Sequence, residues 1–171
     1  MQLRPFLFAL ASTAILAVAP SDAGGQELDG RLEFLAPIIN RTWVGHFVGS
    51  ADSTLTHRVR WEPILDGKAV RRTKSVPEAG FADDGYYFWD WEAGQVAFIS
   101  VGNRGQVTRG FVASEEGRAV LRGAWRDANG IHEFALTLKV LPDGKLEDRY
   151  YRVANGEWTQ GHLIIYSAKE P

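Results

Sequence analysis

Downstream of residue 90 the chain is punctuated by Gly94, Gly105, Gly117, Gly130, Gly144 and Gly156, spaced 11 to 14 residues apart. This rhythm restricts the fold more than any other feature. Each interval holds one strand of alternating apolar and polar residues and is too short for a strand plus a crossover helix, so neighbouring strands must pair as antiparallel hairpins. Asn129-Gly130, Asp143-Gly144 and Asn155-Gly156 supply residues that tolerate the backbone of tight turns. Carried upstream, the same reading gives strands over 42–50, 55–62, 68–76, 85–89, 95–102, 106–113, 118–126, 131–140, 145–153 and 157–167. The expected fold is all-β: a single up-and-down antiparallel barrel of about ten strands that removes its edges by closing on itself.

Two segments stand outside the rhythm. Leu28, Leu32, Leu35, Ile38 and Ile39 recur at helical spacing, which predicts a short helix over 27–39 despite Pro37 near its end, placed to plug or flank one end of the barrel. The stretch 77–84, PEAGFADD, is the longest without strand alternation and is expected to be an irregular loop over the barrel mouth.

Residues 1–23 read as a signal peptide. Arg4 precedes an apolar run from Pro5 to Pro20, and Ser21-Asp22-Ala23 offers small residues at a cleavage site after Ala23. The domain is then 24–171, exported to the periplasm or secreted, and no later stretch approaches the length of a membrane-spanning helix. With no cysteine, the chain has neither a disulfide framework nor a thiolate nucleophile, so the core alone must hold it. The 45% hydrophobic content provides for that core. A net charge of −2, with Lys and Arg scattered among the acids, argues against a nucleic-acid partner. The densest basic run, Lys68 to Lys74, reads as the exposed face of a strand. No sequence feature sets an oligomeric state.

Strand alternation puts Trp43, Gly45 and Phe47 on one face, and turns His57, Val59 and Trp61 inward. An even-length loop at Asn129-Gly130 groups Leu121, Gly123 and Trp125 with Phe134, Leu136 and Leu138. A three-residue loop, Pro142-Asp143-Gly144, then sets Leu138 opposite Asp148 and Leu136 opposite Tyr150. If Ala154-Asn155-Gly156 repeats that loop, Asp148 lies across from His162, Tyr150 from Gln160 and Arg152 from Trp158. A two-residue Asn155-Gly156 turn would instead put His162 opposite Arg149.

In the first register Asp148 orients the His162 imidazole toward a ligand or metal, or the two form a buried, mutually satisfied pair. Trp43, Trp61, Trp125 and Trp158 either cage an aromatic ligand or pack the core, Arg152 closes over Trp158 as a cation–π pair, and His57 faces the interior. No HExxH pair, phosphate-cradling glycine loop or GxSxG elbow occurs, and the histidines are too dispersed to predict a metal site.

The segments LAPIINRTWVGHF, RWEPILDGKAVRR, WDWEAGQ and NGEWTQGH resemble those of exported bacterial proteins of the DUF1579-like family. The resemblance implies a lipocalin-like, calycin-type barrel and brings no catalytic residues with it. QGHLIIYS also resembles the C-terminal strand of nitrobindin-like haem barrels, which implies haem ligation through His162. The expected function is binding of a small apolar or aromatic ligand inside the barrel without catalysis, with His162, Asp148, Tyr150, His57, Trp61 and Trp43 lining the site. The alternatives are an isomerase, cyclase or lyase using His162 with Asp148, a haem carrier, and a structural barrel filled by its own aromatics.

Overall fold

The computed structural model describes residues 27–49, 54–127 and 129–169, so the signal-peptide segment 1–23 lies outside the described residues. Ten strands follow one another: β1 (Arg41–Phe47), β2 (His57–Ile64), β3 (Ala69–Val76), β4 (Phe81–Asp90), β5 (Gln95–Gly102), β6 (Val107–Glu115), β7 (Arg118–Asp127), β8 (Gly130–Val140), β9 (Leu146–Ala154) and β10 (Glu157–Lys169). Each pairs antiparallel with the next, and β1 pairs with β10 from Thr42↔Lys169 to Phe47↔Ile164, which closes the sheet into an up-and-down barrel. No strand edge is left over, as the turn rhythm requires.

The inner face is tightly filled where glycines admit aromatic rings. Gly110 and Gly123 are register partners between Phe98 and Phe134. A Cβ on Gly123 would sit 2.6 Å from the Arg109 carbonyl oxygen and 2.8 Å from Phe98 Cζ, so the ring occupies the space a side chain would take. Overpacking of that kind costs about 1–3 kcal/mol.

The N-terminal helix forms, wound more tightly than an α-helix. Gly30–Ile38 is a 3-10 helix with Pro37 inside it. The physical reason is the spacing of its buried residues: Leu32, Leu35 and Ile38 stand three apart, and at three residues per turn they stack on one line. Asp29 caps it, its Oδ1 accepting from the Arg31 amide at 3.1 Å, while the Arg31 guanidinium holds the same carboxylate at 2.6 Å and lies 5.0 Å and 4.7 Å from the rings of Trp89 and Trp91. The Arg31 partner keeps the Asp29 carboxyl well below the usual carboxylate range. The Asp29 amide donates to the Gly67 carbonyl at 3.0 Å in the β2–β3 turn, and Trp43 Nε1 donates to the Ile38 carbonyl at 2.8 Å. One end of the barrel is thereby closed, and the opposite end is bounded by the β1–β2, β3–β4, β5–β6, β7–β8 and β9–β10 connections.

Two expectations are corrected. The loop expected over 77–84 is only a 3-10 turn, Pro77–Ala79, and Gly80, because β4 begins at Phe81 and pairs with β3 from Val76↔Phe81 onward. The β9–β10 hairpin turns on two residues, with Ala154 opposite Glu157 and Asn155 and Gly156 both at positive φ, 53° and 80°. That is the mirror-image turn whose twist matches antiparallel strands. By contrast, β8–β9 has the three-residue loop the sequence predicts: the Gly144 amide donates to the Leu141 carbonyl at 2.9 Å, Gly144 has φ 78°, and Leu138↔Asp148 and Leu136↔Tyr150 are partners. No helix among the described residues is long and apolar enough to cross a membrane.

Candidate ligand-binding site

Alternation along each strand decides which side chains share the interior, and β10 shows how finely. A two-residue turn alone would direct His162 outward. A bulge between Gln160 and Leu163 shifts the register so that Leu163 pairs with Arg149 and Ile164 with Asp148. The extra residue returns His162 to the inner face. Gly161 makes this possible, since a Cβ there would stand 2.7 Å from Tyr150 Cδ1.

The inner wall carries a continuous run of rings. His57 meets Phe47 edge-on at 4.4 Å, Phe47 meets His162 at 5.1 Å, and His162 stacks on Tyr150 at 4.8 Å with 7° between planes. Tyr150 stacks on Phe134 at 5.8 Å, Phe134 meets Phe98 at 6.3 Å, Phe98 stacks on Tyr87 at 5.6 Å, and Tyr87 lies 4.9 Å from Trp61. His57, Trp61, Tyr150 and His162 are thus joined by one aromatic belt, as offset and edge-on packing favours.

Trp43 takes no part in it: it is wholly buried and spends its indole N–H on the Ile38 carbonyl, beside the helix. Trp158 is on the outer wall, 5.3 Å from Tyr151, and the cation above its ring is Arg122, also at 5.3 Å, rather than Arg152. Trp125 stacks on His132 at 4.1 Å, and His132 and His46 are engaged by Asp127 at 2.9 Å and the Leu55 carbonyl at 3.1 Å. The four tryptophans therefore form no common cage.

The interior is also charged. Arg72, Lys74, Asp83 and Asp148 all point inward, joined by the hydroxyls of Tyr87 and Tyr166. Arg72 forms an ion pair with Asp83, while Asp148 Oδ2 accepts a long hydrogen bond, 3.5 Å, from Tyr166. Asp148 faces Ile164, not His162, and no hydrogen bond joins it to the imidazole. The cross-strand pairing of Asp148 with His162 expected from the first register is therefore corrected.

Lys74 forms no ion pair among the described residues, and both ring nitrogens of the buried His57 lack a hydrogen-bond partner. Burial, reinforced by Lys74 and the other histidines, pushes His57 down to about 4. Burial also lowers His162 against the opposing pull of Asp148, and lowers Lys74 despite Asp148 and Asp83. Tyr87 is pushed up to about 12 by burial, and Tyr166 rises for the same reason with Asp148 adding to it. At neutral pH both inner imidazoles are neutral, each offering one N–H donor and one acceptor.

Sequence reasoning missed Arg72 and Lys74 by assigning the basic run to solvent, and Asp83 by assigning 77–84 to a loop. A signal was present: Val70 and Val76 share a face with Arg72 and Lys74, and two buried valines flanking two cations mark an inward face.

Between Trp61, Arg72, Tyr87, Leu136, Asp148 and Tyr166 lies an enclosed void of about 10 Å³. A groove of about 720 Å³ runs over β1–β5, lined by outward-facing residues such as Thr42, Arg60, Thr73 and Ala82 and also by Val59, Lys74 and Asp83, and a second depression of about 690 Å³ lies over Arg109, Trp125, Arg126 and Ile131. No cluster of three or more metal-ligating side chains occurs among the described residues. No protein-family model matches the sequence, and no curated protein is similar to it.

Proposed function

We propose that the barrel is a non-catalytic receptor for a small, largely aromatic molecule with one anionic or acceptor-rich end. It is held in the half opposite the 3-10 helix, with the aromatic part against Phe47, Tyr150 and His162 and the polar end at Lys74 and His57. The observation that carries this reading is the Lys74 ammonium facing the interior without an ion pair beside an imidazole whose two nitrogens are unpartnered. A half-buried cation is costly to keep unless something meets it, and a ligand anion is what that arrangement can meet. As an exported protein released by cleavage after Ala23, the receptor would act in the periplasm or outside the cell, and N-terminal sequencing of protein from its own host checks that part.

Titration with the fluorescent aromatic sulfonate 1-anilinonaphthalene-8-sulfonate tests the site. Saturable binding is expected, weakened about tenfold in Lys74→Met, the scale of one charge-assisted hydrogen bond, and largely kept in Lys74→Arg. The free Lys74→Met protein should also be more stable than wild type in urea, because it loses a cation that burial disfavours. Equal affinity for wild type and Lys74→Met overturns the reading.

A further inference from the structure

We propose that one water molecule is a permanent part of this barrel, bound between Asp148 Oδ1, Arg72 Nε and Trp61 Nε1. These three atoms are buried and none has a hydrogen-bond partner in the protein. Their residues come from β9, β3 and β2, yet all three line the same enclosed void of about 10 Å³. A void must offer roughly 10–15 Å³ to hold one water, along with two to four polar partners. This one meets both requirements for a single molecule and has no room for a second.

The donor set selects the occupant. Arg72 Nε–H and Trp61 Nε1–H both donate, so an ammonium or metal cation would face two protons; Asp148 Oδ1 accepts, so an anion would face a carboxylate oxygen. An apolar atom would leave all three groups unpaired in a buried place, which folded proteins avoid. A water accepts from both N–H groups, donates one proton to Asp148, and has its second proton for Tyr87 or Tyr166, whose side chains line the same void. Asp148 then has both oxygens served, one by Tyr166 and one by the water.

The water acts as a strut. β2 and β3 are not neighbours of β9 in the barrel order, so the bridge ties opposite walls through the interior. It also occupies the carboxylate that would otherwise be free to turn toward Lys74. This inference stands on the void and its three atoms, and holds whether or not a ligand binds at Lys74.

A crystal structure of the free protein at about 1.6 Å, with water–protein NOE spectroscopy on the same protein, provides the test. One peak of density is expected within about 2.7–3.2 Å of all three atoms. In solution the Trp61 indole proton should show a cross-peak to water of the sign that marks long residence, lost in Trp61→Phe. Density that touches none of the three atoms, a direct Arg72–Asp148 bond closing the void, or an indole proton with no such cross-peak overturns the proposal.

Discussion

His57 shows what a single residue contributes to this barrel. It opens β2 on the inner face, 5% exposed, with Phe47 packed against its ring and no partner for either nitrogen. The titratable groups acting on it are Lys74 from β3, His162 from β10 and His46 from β1, which add to burial, and Glu78 from the β3–β4 connection, which pulls the other way. With its value pushed from 6.5 to about 4, the unfolded chain binds a proton in that interval that the folded chain refuses. The contribution of His57 to stability is therefore complete above pH 6.5 and is lost as the pH falls toward 4. His162, lowered by burial, acts in the same direction. Urea midpoints measured between pH 7.5 and 4 should fall more steeply for wild type than for His57→Phe, with a difference on the order of 2 kcal/mol at the acid end. Parallel curves would show that the imidazole is not desolvated as described.

At the scale of the element, the β9–β10 hairpin separates what sequence can convey from what it cannot. The registers of β7–β8 and β8–β9 were legible because turn chemistry and hydrophobic alternation agree there: Leu121 meets Leu136 and Leu138 meets Asp148. In β10 the even-numbered residues Trp158, Gln160, His162, Ile164 and Tyr166 suggest a single face, but the bulge splits them, leaving Trp158 outside and His162 inside. The one clue was Gly161, a glycine within a strand. The start of β4 was hidden for another reason: Asp83 faces inward to meet Arg72, so a polar interior erased the alternation that would have marked a strand. Deleting Gly161 should remove the bulge and leave His162 directly opposite Tyr150 on the inner face, because Gln160, His162 and Leu163 then meet Tyr151, Tyr150 and Arg149 in turn. Its imidazole titration, followed by NMR, should stay lowered and keep the ring-current shift from Tyr150. A titration that rises toward 6.5 would mean that the ring has turned out of the barrel.

The described residues form a closed ten-stranded barrel with a 3-10 helix at one end and a charged, ring-lined interior. The strand order was legible from the turn glycines together with the alternation carried upstream of them, because hairpins that short permit no other path. The interior charges were not, because an Arg or Lys on a strand reads as solvent-facing until its flanking residues are buried. The proposed interior site has competitors on the surface: the groove of about 720 Å³ across β1–β5, whose lining also includes Lys74, and the depression of about 690 Å³ over Arg109 and Arg126. Amide chemical-shift mapping with 1-anilinonaphthalene-8-sulfonate separates them directly. Saturable shifts are expected at Phe47, His57, Tyr150 and His162, which line no part of that groove, with Thr42 and Ala82 on the outer wall unmoved. Shifts confined to the outer wall, or no saturable shift anywhere, would contradict that placement.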